Sequence, residues 1–240
     1  MQAHRPPADT TPPLRLESAL ALLRHSGQGE PAAPVGSAAW LQGLIDGLVD
    51  LSNRDALTGL ANRRSFELAL AREIDRVTRS GEPALLLYAD IDHFKRVNDQ
   101  HGHAAGDEVI RAVAQGLAET VRPMDLVARI GGEEFAVVLP NCPPAFGPQV
   151  ADRIRRRVAR SAVALDDGRA LAVTISIGGA FAPQWVRSTP ALWMERTDRQ
   201  LYRAKAEGRD RVCLEPSALS EVSAEEKGLL FGTSAFQDLE

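Results

Sequence analysis

The sequence is short of cysteine, of long apolar runs and of charge of one sign, and each shortage excludes something. Cys142 and Cys213 are the only cysteines in 240 residues. Their spacing fits no metal motif, so free thiols and a reducing compartment are expected. No stretch approaches the ~18 apolar residues of a membrane span. The N-terminus carries no apolar segment ahead of a cleavage site. These features predict a cytoplasmic chain without a membrane partner. The formal net charge is −4, so no global field draws the chain to nucleic acid. The local cluster of Arg153, Arg155, Arg156 and Arg157 reads as a solvated helix face. What is present, 44% hydrophobic and 25% charged residues, is a soluble globular composition for one ordinary domain with extensions.

Along the chain, residues 1–36 are rich in Pro, Ala and Gly and are expected to be largely disordered, with one short helix at 14–25. Residues 37–53 form an amphipathic helix. Leu41, Leu44, Leu48 and Leu51 follow the a/d rhythm of a coiled coil, widened by Trp40, Ile45 and Val49. Two heptads do not hold alone, so this helix is either a dimer stalk or packs on its own domain. Asn62 caps a helix over 63–78, closed by Gly81. Residues 83–92 read as a strand buried on both faces. Asp90 and Asp92 at its end are taken to point to opposite faces, with the Ile91 carbonyl between them. One carboxylate and one carbonyl suit a hard cation, although a strand-end Asp more commonly caps the following helix. A short helix (93–102), a tight turn and a second helix (105–121) follow. Asn98 and Asp107 bracket the turn, where turn and capping roles are the simplest. His93, His101 and His103 lack ligand spacing.

Arg129-Ile130-Gly131-Gly132-Glu133-Glu134-Phe135 lies between two alternating apolar runs and reads as a β-hairpin. Gly131 and Gly132 permit positive φ and close approach of a bulky ligand. Alternation lets one of Glu133 and Glu134 face a site while the other faces away. A bare turn beside acids seats a phosphate–Mg²⁺ pair; a solvated acidic edge is the plainer alternative. Further on come a helix (144–161), a turn at Asp166-Asp167-Gly168, a strand (171–178), a helix (189–206), a strand (211–214) and an acidic tail (216–240). The apolar end of that tail suits docking on a partner or on its own domain.

Taken together, these blocks resemble the GGDEF family of diguanylate cyclases over about residues 53–215. Asp55-Ala56-Leu57-Thr58-Gly59-Leu60-Ala61-Asn62-Arg63-Arg64 looks like the opening motif. Asp90-Ile91-Asp92-His93-Phe94-Lys95, with Asn98-Asp99 and Gly102-His103 through Gly106-Asp107, looks like the substrate block. Arg129 through Phe135 is similar to the signature, with Glu133 for the frequent Asp. Ser176-Ile177-Gly178, and Asp198, Leu201-Tyr202, Ala204-Lys205 and Gly208-Arg209, complete the set in family order. His101 and Asp210 depart from the pattern.

The resemblance implies an α+β domain over 54–215, with a mixed central sheet flanked by helices, like nucleotidyl cyclases and polymerase palms. It implies that two GTP molecules become cyclic di-GMP and two pyrophosphates across a homodimer of half-sites. Asp90, the Ile91 carbonyl and Glu133 would hold two Mg²⁺ or Mn²⁺ ions. Asp90, Glu133 and Glu134 would form the catalytic set, Glu134 serving proton removal. Phe94, Lys95, Gly131, Gly132, Lys205 and Arg209 would bind substrate, and Asn98 and Asp107 would select guanine. Arg122-Pro123-Met124-Asp125 resembles the family's RxxD site for inhibition by product, with Arg153 as a contact from a neighbouring protomer. The alternative is a catalytically silent member that binds cyclic di-GMP or a protein partner through the N-terminal helix or the tail. A cyclase acting on ATP is disfavoured by Asp107.

Overall fold

The structure is a computed structural model that describes residues 14–165, 168–182 and 188–216. Its centre is β1 (Leu85–Ile91), buried at every position. β1 pairs antiparallel with β3 (Glu134–Leu139) on one side and with β6 (Ile175–Phe181) on the other. β2 (Leu126–Arg129) extends the sheet beyond β3, and β7 (Val212–Leu214) joins β6 in parallel, giving the order β2-β3-β1-β6-β7.

Alternation on these strands divides the core. Leu85, Leu87, Ala89 and Ile91 face α4 (Phe94–Thr120) and α5 (Gly147–Ala159). Leu86 and Tyr88 face α3 (Arg63–Ser80) and α6 (Pro190–Ala206), where Phe66 and Trp193 are fully buried. This is the expected α+β architecture, a mixed sheet between two helical layers.

The local signals explain most boundaries. Asn62 accepts from the Ser65 N–H at 3.0 Å and starts α3, and Gly81 ends it with φ +69°. The two helices expected around 93–121 are both present and meet at Gly102, whose non-helical φ of 84° and ψ of 167° a side chain resists, so α4 denotes two helical segments in succession. The strand expected over 171–178 is divided. β5 (Ala170–Ala172) pairs with β4 (Ala162–Ala164) in a separate hairpin, and β6 begins at Ile175. Between them the Thr174 carbonyl accepts from the Asp92 N–H at 2.9 Å. Of the turn expected at 166–168, Asp166 and Asp167 lie outside the described residues, as does the tail beyond residue 216.

Two expectations fail. Residues two apart along a strand share a face, and Asp92 is on the side of Asp90, not opposite it. It accepts from the Ser176 hydroxyl at 2.6 Å, and Ser176 is the register partner of Asp90. Nor does Asp92 cap α4; His93 takes the N-cap position in a left-handed conformation. Second, the Leu41/Leu44/Leu48/Leu51 stripe of α2 (Ala38–Asn53) is not an open seam. α1 (Glu17–His25) folds back on it, burying Leu23, Trp40 and Leu44 together. Gly47 permits the approach, since a Cβ there would stand 2.9 Å from Leu23 Cδ2. The helix packs within its chain, but on α1 and not on the domain that follows it, the alternative weighed from the sequence.

Candidate active site

Asp90 occupies the last turnward positions of β1, opposite Glu134 on β3 and Ser176 on β6, so these three share the α3–α6 face. Asp90 is only 5% exposed, and Lys205 Nζ on α6 lies 2.7 Å from its Oδ2. Burial pushes the Asp90 carboxyl above its ordinary range, Lys205 pulls it back, and Glu134 and Asp92 push it further up. Glu133 precedes β3 in the turn, and its carbonyl accepts from the Ile91 N–H at 3.3 Å. Burial raises the Glu133 carboxyl, and the negative charge of Asp90 and then Glu134 adds to the rise. The charge of Asp90 is thus felt at Glu133.

A cation fits this corner on donor chemistry. Two carboxylates, each raised by burial, beside a backbone carbonyl are hard oxygen donors suited to a cation. Among the described residues no three His, Cys, Asp or Glu side chains converge to hold an ion unaided. That suits Mg²⁺ held by one or two carboxylates and completed by substrate phosphates. In this arrangement Lys205 is an ion-pair partner of Asp90 as well as a candidate phosphate contact.

The hairpin is held from a distance. Arg129 donates to the Gly132 carbonyl through Nη2 at 2.8 Å and to Asp55 through Nη1 at 3.2 Å. Asp55 also accepts from the Thr58 N–H at 3.0 Å. The segment after α2 is therefore clamped to the turn that carries Glu133, a link the sequence motifs contain but do not pair. Gly131 and Gly132 permit positive φ, and neither uses it. A Cβ on Gly131 would meet Glu134 Oε2 at 2.5 Å, so that exposed carboxylate would have to move.

On the other helical layer, the Gly102 kink folds α4 so that Asn98 lies against Gly106. A Cβ on Gly106 would stand 2.0 Å from Asn98 Oδ1. Asn98 and Asp107, on either side of the kink, are both half-buried. Asp107 lies inside the helical segment that follows Gly102 and does not start it, so the capping role does not apply. Phe94 is buried beneath this limb, whereas Lys95 and Arg209 are exposed at the rim. Arg209 has φ 62°, in a loop fixed by the Asp210 N–H donating to Asp92 Oδ2 at 3.0 Å and by Arg155 Nη1 donating to Asp210 Oδ1 at 2.6 Å. The unusual Asp210 is thus a tie between α5 and the loop, and Asp92 anchors that loop.

Arg122, Asp125 and Arg153 line a separate cavity of about 210 Å³ with Cys142 and Phe146. Asp125 Oδ2 accepts from the Arg122 N–H at 2.7 Å, and Arg153 Nη2 donates to the Thr120 carbonyl at 3.1 Å. Arg153, expected from a neighbouring protomer, reaches this cavity in its own chain. Burial raises the Asp125 carboxyl, opposed by Arg122 and Arg153.

Comparison with known proteins agrees with this geometry. The profile described as "Diguanylate cyclase, GGDEF domain" matches residues 52–211. The response regulator PleD of Caulobacter vibrioides is 42% identical over 174 residues, 72% of this chain and 38% of that protein. Diguanylate cyclase DgcP of Pseudomonas aeruginosa is 42% identical over 158 residues, 66% of this chain and 23% of that protein. The chain thus spans less than half the length of these relatives. Among solved structures, the coiled coil and GGDEF domain of DgcB from Caulobacter crescentus, in complex with c-di-GMP, superposes with TM-score 0.69 at 32% identity, covering 73% of this chain and 92% of that one. Diguanylate cyclase SiaD in complex with its activator SiaC, from Pseudomonas aeruginosa, gives TM-score 0.68 at 36% identity, covering 73% of this chain and 66% of that one. With the profile spanning well over half its length and every signature block in its expected place, this chain belongs to the GGDEF family.

Proposed function

We propose that this chain is a metal-dependent diguanylate cyclase, condensing two GTP into cyclic di-GMP and two pyrophosphates. The observation that carries the reading is the corner formed by Asp90, Glu133 and Lys205. It is accompanied by Asn98 and Asp107, half-buried on either side of the Gly102 kink in α4. Asp90, the Ile91 carbonyl and Glu133 would hold Mg²⁺ or Mn²⁺. Bound there, the metal neutralises phosphate charge and favours the attacking 3′-oxyanion. Lys205 and Arg209 hold the triphosphate, and Lys95 adds positive charge at the rim. Glu134, exposed beside Asp90, is the carboxylate placed to accept the 3′-hydroxyl proton. Asp107 accepts from guanine N1–H and N2–H, and Asn98 completes the recognition. The 3′-oxygen of one GTP attacks the α-phosphate of the other, pyrophosphate leaves, and the reciprocal step closes the ring.

Incubation of the protein with GTP or ATP and Mg²⁺, followed by chromatography, tests the reading. Cyclic di-GMP from GTP alone is expected. Asp107→Ser is expected to narrow the GTP preference, since an unpaired base edge is penalised by up to ~10⁴-fold. Binding of cyclic di-GMP with no turnover would favour the silent alternative.

Each chain carries one half-site, so two chains must face each other. With the leucine stripe covered by α1, the free face of α2 is Ala38, Gln42, Ile45, Val49 and Ser52, at alternating spacings of four and three. Ile45 and Val49 are each 53% exposed, and a second copy joins along this face. Ile45→Asp is expected to lower specific activity at low protein concentration and to recover as concentration rises. Specific activity independent of concentration in both proteins would remove α2 from the dimer.

The RxxD cavity is the product-inhibition site of this reading. Arg122 donates to guanine O6 and N7, Asp125 accepts on another edge, and Arg153 adds positive charge. Wild-type turnover is expected to slow noncompetitively as product accumulates. Arg122→Ala should abolish the slowing with the initial rate intact. Calorimetry that finds unchanged product binding in this variant would place inhibition elsewhere.

A further inference from the structure

A second cavity, of about 240 Å³, lies on the α3–α6 face behind the hairpin. Phe66, Met194 and Leu201 make it apolar, and Tyr88 lies on β1 at its floor. Tyr88 is 6% exposed, and its hydroxyl is buried without a hydrogen-bond partner among the described residues. A buried hydroxyl in that state carries an uncompensated desolvation cost that a bound polar group relieves.

The cavity mouth has an excess of negative charge. Glu134, Glu195 and Asp198 line it against a single cation, Arg63, which already donates to Glu67 at 3.1 Å. The carboxylates and the phenol oxygen can all accept from one donor-rich group. A bare metal ion does not suit the place, because the walls are apolar and no three ligating side chains converge. The volume is too small for a nucleotide and large enough for one ring.

We propose that this cavity binds an organic cation of single-ring size. Its body lies against Phe66, Met194 and Leu201, its charged end donates to Glu134 and Asp198, and one further N–H donates to the Tyr88 oxygen. Glu134 is shared with the catalytic corner, so occupancy would withdraw it from the neighbourhood of Asp90. In that consequence alone the inference rests on the cyclase reading.

Calorimetry with benzamidine on the full chain, without nucleotide or Mg²⁺, tests the site, with neutral benzamide as the isosteric control. Benzamidine is expected to bind at sub-millimolar concentration and benzamide at least ~10-fold more weakly. Tyr88→Phe should weaken benzamidine about tenfold while melting no lower than wild type, because the hydroxyl it removes has no partner. Asp198→Asn should weaken binding similarly. Equal binding of benzamide, unchanged binding in both variants, or no binding at millimolar benzamidine would overturn the proposal. Because the measurement contains neither substrate nor metal, an inactive chain would leave it standing, and its failure would leave the cyclase reading untouched.

Discussion

Glu133→Gln is expected to yield a folded protein whose turnover of GTP falls by at least ~10³-fold, the scale of losing a preorganised charge at a reacting phosphate. Glu133 sits in the turn before β3, half-exposed and outside the core clusters, and what ties it to β1 is its backbone carbonyl on the Ile91 N–H. The amide keeps shape and backbone and loses the charge. Burial and the charge of Asp90 hold the Glu133 carboxyl above its ordinary range. The charge on Glu133 is therefore disfavoured where it stands, and the amide does not carry it. Melting temperature should stay level or rise slightly. Product chromatography at saturating Mg²⁺, beside a thermal melt, checks both halves. A wild-type rate in the variant would end the metal assignment.

Gly106→Ala is expected to raise KM for GTP by roughly 10–100-fold, as misplacement of a positioning group by about an ångström does, in a protein that still folds. The added Cβ would stand 2.0 Å from Asn98 Oδ1. That side chain must move, and the buried Phe94 ring, 3.1 Å from the same Cβ, must give as well. Alanine gains up to ~1 kcal/mol over glycine in a helix, which offsets part of that crowding. A folded, less discriminating protein is the signature. Gly116→Ala on the same helix is the control, because its Cβ would meet Val158 Cγ2 at an ordinary 3.7 Å. It should be stabilised without a change in KM. If both variants keep wild-type KM, Asn98 is not a substrate contact.

The sheet, its flanking helices and the corner at the end of β1 were legible because their signals are local. A fully apolar run marks β1, Asn62 and Gly81 bracket α3, and acids follow a glycine pair. What misled was also local. The leucine rhythm of α2 describes an apolar stripe, but periodicity cannot say whether the occupant is another chain or α1. Gly131 and Gly132 look like residues chosen for φ, whereas neither takes a positive φ. Asp92 was assigned the wrong face by misapplied alternation, and its three-partner anchor draws on residues more than eighty positions away. The Arg129–Asp55 clamp joins residues 74 apart, and no periodicity carries that distance. The orphan hydroxyl of Tyr88 is invisible in a strand of uninterrupted burial.

The place of Gly178 sets how finely the corner can be adjusted. It pairs with Tyr88 across the sheet, and a Cβ on it would stand 2.0 Å from the backbone nitrogen of Leu201 and 2.4 Å from its Cα. Here α6 rests directly on β6, main chain against main chain. One helical turn later the same helix presents Lys205 to Asp90. The reach of that ammonium is therefore gauged from a bearing with no compressible spacer. Exchanges among the surrounding leucines and valines can loosen or tighten the core, but they have no lever on this separation. A residue with any side chain at 178 would lift the helix and carry the lysine away with it.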